Sequence, residues 1–137
     1  MKKQFYLVRG IVRFKNKYLL LKKAKDQVTE NIGKWECAGG KIEENEDPRE
    51  TILREIKEET SLEGKIIKEL PIRSKENKEY KSLCHVFLIE VNSEHVRISK
   101  EHESYKWVKP EDVKNYSLVL FADLLLEYFD NPERYLN

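Results

Sequence analysis

The fourteen residues 47–60, DPRETILREIKEET, constrain this chain more than any other stretch. Asp47 is a good N-cap, Pro48 suits the first helical position, and Glu50 follows three residues after the cap, which together make a capping box with proline at N1. Ile52 and Ile56 stand four apart on one face, so the pattern predicts a helix running to about Thr60. Around it the chain alternates in character. Residues 5–14 and 18–21 are apolar runs rich in β-branched and aromatic types, separated by the turn-like Lys15-Asn16-Lys17, and read as a β-hairpin. Residues 22–34 are polar, contain Gly33 and read as a loop leading to a short strand around residues 35–37, which Gly39-Gly40 should break. Residues 83–91, LCHVFLIEV, are nearly continuous apolar sequence of strand length and predict a buried strand; 96–98 and 105–108 are weaker strand candidates. Leu120, Phe121, Leu124, Leu125 and Tyr128 follow helical spacing, with Pro132 just past the stop. Strands interleaved with two helices point to a layered α/β or α+β fold.

A length of 137 residues with 39% hydrophobic content suits one domain, residues 1–137, around a single core. No apolar run approaches the roughly 18 residues a membrane helix needs, and residues 1–6 lack the features of a signal peptide, so a soluble, cytoplasmic protein is expected. Cys37 and Cys84 lack CxxC spacing and suggest neither a disulfide framework nor a zinc site. Lys+Arg (26) and Asp+Glu (25) nearly cancel, leaving a net charge of +1, which argues against extended nucleic-acid binding.

The stretch that carries chemistry is GGKIEENEDPRETILREIKEETSL. On a helix, Glu55, Glu58 and Glu59 stand at i, i+3 and i+4, so their carboxylates project from one face. Left alone they would repel one another and some would hold a proton near neutral pH; a divalent cation removes that conflict. Magnesium takes oxygen ligands, few of them from protein, and completes its shell with water and phosphate oxygens. Gly39 and Gly40 let backbone approach metal and phosphates closely. Arg54, four residues before Glu58, can pair with Glu46 or with its helix neighbours and hold them in place. Any single glutamate here would pass for a solvated helix face, but the whole set at these distances does not.

This spacing resembles the Nudix box, the family signature G-x5-E-x7-R-E-U-x-E-E-x-G-U with U apolar. Gly40, Glu46, Arg54, Glu55, Ile56, Glu58, Glu59 and Leu62 all match, and Ser61 stands where the family has its last glycine. That glycine ends the helix in a left-handed conformation, which serine can adopt at a cost of about 1 kcal/mol. Trp35-Glu36 followed by Gly39-Gly40-Lys41-Ile42-Glu43 is similar to the segment before the box in MutT-type nucleoside triphosphate pyrophosphohydrolases, with Ala38 in place of their proline. The likeness covers nearly the whole chain.

The resemblance implies an α/β/α sandwich with a mixed central sheet, and Mg2+, with Mn2+ as an alternative, as cofactor. It implies Gly39, Glu55, Glu58 and Glu59 as metal ligands, Glu46 and Arg54 in support, and attack of water on a phosphoanhydride. The general base differs among subfamilies. Glu55 or Glu58 could serve, as could Glu103 or Glu101 in the run Glu101-His102-Glu103-Ser104-Tyr105-Lys106-Trp107, whose E-H-x-x-Y-[RK]-W pattern occurs in many Nudix proteins on a loop facing the box. Catalytic roles are thus expected for Arg54, Glu55, Glu58 and Glu103. Lys23, Trp35 and Gly40 are the candidate substrate contacts. Trp35 and Tyr80 could stack on a base, although an aromatic in a strand is more often core; Lys23 is equally read as a surface lysine, and His85, inside an apolar run, as structural.

The expected substrate is a small nucleoside diphosphate-X compound, first of all a nucleoside triphosphate cleaved to monophosphate and pyrophosphate. ADP-ribose and dinucleoside polyphosphates are the alternatives within the class, and a non-catalytic nucleotide sensor the alternative outside it. Residues 117–122 offer no convincing counterpart of the base-reading asparagine of MutT-like enzymes. Neither nucleic acid nor membrane is expected as a partner, and monomer and homodimer are both compatible with the sequence.

Overall fold

The computed structural model describes residues 2–24 and 33–118. In chain order the elements are β1 (Lys3–Phe14), β2 (Lys17–Lys23), β3 (Trp35–Glu36), β4 (Ala38–Lys41), α1 (Pro48–Thr60), β5 (Gly64–Glu76), β6 (Tyr80–Val91), β7 (His102–Val108) and a 3-10 helix at Pro110–Asn115. The anticipated final helix at 120–128 lies outside the described residues. None of the described helices is long and apolar enough to cross a membrane.

The strands form one seven-stranded mixed sheet, ordered β3-β2-β1-β6-β5, with β4 added on β1 and β7 on β2. β1 and β6 pair in parallel along their length, from Lys3 opposite Tyr80 to Arg13 opposite Glu90, and every other pairing is antiparallel. β6 is buried on both faces, which explains why 83–91 reads as nearly unbroken apolar sequence. Successive residues of β6 alternate between two cores. Cys84, Val86 and Leu88 join Ile11, Leu20, Val108 and Val113 on one face. Phe87, Ile89 and Val91 join Val8, Leu19, Leu21, Ile52 and Ile56 on the other, which α1 covers.

Helix α1 starts and stops where its sequence predicts. The Asp47 side chain accepts the Arg49 N–H, Pro48 opens the helix, and Ser61 ends it in the left-handed region at φ 66° and ψ 14°, with its N–H bonded to the Lys57 carbonyl. Ile52 and Ile56 are both fully buried against the sheet.

Two local readings are corrected. Gly39-Gly40 do not break a strand: they belong to β4, whose backbone pairs with Leu7–Gly10 of β1. Residues 96–98 are not a strand, because their backbone is spent on the end of α1, the Arg97 N–H donating to the Thr60 carbonyl and the Ser99 N–H to that of Glu59. β5 had no clear signal, since it is an edge strand with a charged, mostly exposed alternation and Pro71 in its middle. Pro71 sits where β5 carries one extra residue against β6, a bulge that spares it a ladder hydrogen bond.

Candidate active site

Two parts of the fold meet at the site: the solvent-side carboxylates of α1 and the glycine ribbon of β4. Pairing of β4 on β1 leaves no room for a side chain at Gly39, where a Cβ would lie 2.1 Å from the Val8 carbonyl oxygen. At Gly40 a Cβ would lie 2.8 to 3.0 Å from the Glu55 carboxylate, so that carboxylate rests directly on the ribbon. Glu59, one turn further along α1, is almost wholly buried and accepts the Gly39 N–H at 2.9 Å.

Arg54 gathers the remaining acids. Its Nη2 lies 2.9 Å from Glu46 Oε2, and its Nη1 lies 3.2 Å from Glu58 Oε1 and 3.4 Å from Glu55 Oε1. Glu46 in turn accepts the Glu43 N–H at 2.7 Å, which secures the turn between ribbon and helix. That backbone hydrogen bond, helped by Arg54, holds the Glu46 carboxyl below its ordinary range.

Electrostatics separate the glutamates. Burial pushes Glu59 up to about 9, against the lowering pull of the Gly39 N–H and of Arg9, with Glu55 and Glu36 adding to the rise. Glu55 is also raised, first by burial, with Arg54 opposing and Glu58, Glu101 and Glu46 contributing. Both rises come first from burial, which penalises the charged form, and neighbouring carboxylates add to them. All the donors are oxygens, and this donor set suits a hard divalent cation.

Behind this face lies a buried polar group that the sequence did not announce. Glu36 is 4% exposed and His102 also 4%. His102 Nε2 is 2.6 Å from Glu36 Oε2, and Arg9 and Lys23 flank the same carboxylate at 3.5 and 3.6 Å. Burial alone would raise Glu36, but the His102 hydrogen bond and the Arg9 and Lys23 charges outweigh it and hold Glu36 below its ordinary value. In the sequence, an apolar Trp35 beside a charged Glu36 would point the tryptophan inward, whereas Trp35 is half-buried and Glu36 buried.

The candidates therefore divide by location. Gly39, Gly40, Glu46, Arg54, Glu55, Glu58 and Glu59 come together on one surface. Glu101 lies close enough for its charge to act on Glu55, whereas the Glu103 carboxylate turns to Lys22 at 3.6 Å. Lys23 faces Glu36, and Trp35 packs edge-on against Tyr116 at 5.4 Å with the Lys22 ammonium 5.9 Å from its ring centre. Tyr80 packs edge-on against Phe5, and His85 is half-buried on β6.

A family model described as NUDIX domain matches residues 5–129. The chain is 28% identical over 128 residues to the CTP pyrophosphohydrolase of Escherichia coli K12, covering 93% of this chain and 92% of that one. It is 30% identical to the nucleoside triphosphatase NudI of Escherichia coli O139:H28 over 127 residues, 85% of this chain and 89% of that protein. Among solved structures, the MutT protein of Methanosarcina mazei Go1 superposes with a TM-score of 0.82 at 29% identity, covering 97% of each chain.

Proposed function

The chain belongs to the Nudix family, and from that premise we propose that it is a magnesium-dependent hydrolase that cleaves a nucleoside triphosphate to the monophosphate and pyrophosphate. The observation that carries this reading is the meeting of Glu55 and Glu59 with the Gly39-Gly40 ribbon, with Glu58 joined to Glu55 and Glu46 through Arg54. The relatives whose names specify a nucleoside triphosphate or CTP support the substrate class.

Glu55, Glu58, Glu59 and the Gly39 carbonyl would hold the magnesium, which supplies a polarised phosphoryl oxygen and an acidified water. Arg54 keeps Glu46, Glu55 and Glu58 from swinging apart into solvent, so the acids need not reorganise when substrate arrives. Gly40, lacking a side chain, lets the Glu55 carboxylate lie against the ribbon. The proton of the attacking water needs an acceptor. Of the two acids at the start of β7, Glu101 is the better placed, because its charge reaches Glu55 while Glu103 is engaged by Lys22. Reading of the nucleoside falls to Trp35 on β3 and to the 101–107 run that enters β7, which pairs with the same strand β2 as β3 does. The near balance of charge, +1 overall, favours a free nucleotide over a polynucleotide.

The test is hydrolysis of a panel of ribo- and deoxyribonucleoside triphosphates, oxidised dGTP, ADP-ribose and diadenosine polyphosphates, with magnesium and with chelator. Release of pyrophosphate from a triphosphate, lost with chelator, is the expected result. Preference for ADP-ribose or a dinucleoside polyphosphate would move the substrate but keep the site. Tight binding of a nucleotide without turnover of any panel member would replace the enzyme by a sensor.

A further inference from the structure

The wall behind the carboxylate face contains a side chain that the proposed reaction leaves without a role. His102 opens β7, and its side chain is 1% exposed. One ring nitrogen, Nε2, contacts Glu36 Oε2 at 2.6 Å, while the other, Nδ1, has no hydrogen-bond partner among the described residues and lies 3.9 Å from Glu59 Oε1. Glu36 stands between Arg9 and Lys23, so it accepts and the imidazole Nε2–H donates. Glu59 uses its other oxygen, Oε2, to accept the Gly39 N–H. A continuous line of contacts thus runs from Arg9 and Lys23 through Glu36, His102 and Glu59 to the glycine ribbon, linking β1, β2, β3, β7, α1 and β4.

A carboxylate that binds a cation must be held at a fixed angle, and groups behind the ligand set that angle. Glu59 is gripped on one oxygen by Gly39, and the ring of His102 stands 3.9 Å behind the other. That ring cannot turn while Glu36 holds its far edge, and Glu36 cannot move while two cations hold it.

We propose that His102 is a positioning residue which, pinned by Glu36, backs the Glu59 carboxylate and sets the direction in which it faces a divalent cation. The inference rests on the metal-binding reading given above. The alternative chemistry at the same place is direct ligation, since Glu36, Glu59 and His102 each offer one ligand atom within 4.8 Å of the others. Arg9 and Lys23 oppose it: a cation there would displace or repel two positive charges already seated on Glu36.

The experiment measures Mn2+ affinity of the full chain by electron paramagnetic resonance without nucleotide, alongside thermal stability, for wild type, His102→Phe, His102→Gln and His102→Asn. Gln keeps a donor near the position of Nε2 and drops the ring edge facing Glu59; Asn does the reverse; Phe keeps the ring and loses both polar atoms. Mn2+ affinity should fall about 10- to 100-fold in His102→Phe, the scale of losing an outer-shell partner, and by smaller factors in the other two. If His102→Phe does not fold, Gln and Asn decide the matter by the same comparison. Affinity within about twofold of wild type in the folded variants overturns the proposal even if melting temperatures drop, because that is the signature of a merely structural side chain. A directly coordinated imidazole nitrogen in the spin-echo spectrum of the wild-type complex overturns it in favour of ligation. Wild-type protein that binds no Mn2+ sinks it together with the metal reading, whereas Mn2+ binding without turnover counts against the reaction alone.

Discussion

Gly39 and Gly40 are neighbours in one strand, yet an added methyl group meets different obstacles at each. At Gly39 it strikes the Val8 carbonyl oxygen at 2.1 Å, which is backbone held in a sheet and cannot yield. Gly39→Ala should therefore cost stability, by a few kcal/mol on the scale of core overpacking. At Gly40 the obstacle is the end of the Glu55 side chain at 2.8 Å, which can swing away. Gly40→Ala should keep a melting temperature close to that of wild type while kcat falls by about 10- to 100-fold, because a ligand carboxylate has been displaced. Thermal melts and steady-state kinetics on the two variants check both. A Gly40→Ala protein with wild-type activity would remove Glu55 from the site.

At the scale of the element, α1 ends on a residue whose backbone favours glycine. Ser61 has φ 66°, its N–H closes the last turn on Lys57, and its hydroxyl makes only a long contact, 3.4 Å, to the Arg97 carbonyl from an exposed position. Ser61→Gly removes the left-handed strain and gives up little, so unfolding free energy should rise by about 1 kcal/mol in denaturant titration. A loss of stability would mean that the Arg97 contact outweighs the strain. The middle of the same helix behaves in the opposite way: Ile56 is fully buried between α1 and the sheet, and Ile56→Ala should cost about 2 to 5 kcal/mol.

For the whole molecule, the buried Glu59 couples folding to pH and to metal. Unfolded, its carboxyl has the ordinary value of 4.5; folded and metal-free, it is pushed up to about 9. Between those values the folded chain holds the extra proton, so metal-free stability from this group falls as pH rises from about 5 to 9, by at most ~1.4 kcal/mol per unit. Melting temperatures in chelator should decline across that window. Glu59→Gln, whose amide oxygen can still accept the Gly39 N–H, should flatten the decline, and Mg2+ should raise the upper end most, because it stabilises the ionised form. A pH profile in chelator that is identical for wild type and Glu59→Gln would show that Glu59 does not titrate in this range.

What the sequence determined by itself is what depends on near neighbours. The caps of α1, its apolar face at Ile52 and Ile56, the buried run at 83–91 and the carboxylates at i, i+3 and i+4 follow from propensity and period, which act over a few residues. Tertiary structure decided the rest, because pairing partners lie far apart in the chain. Gly39-Gly40 read locally as a break and become a strand only because β1 offers them an edge. β5 emerges only on β6, since its own alternation is too polar to declare a buried face. Glu101 and Glu103 are indistinguishable by type, and the irregularity in the β7–β2 register, where Glu103 falls between the partners of Lys22 and Lys23, sends Glu103 to Lys22. Glu36 and His102 stand 66 residues apart, and nothing short of the folded sheet brings a buried carboxylate and a buried imidazole to 2.6 Å.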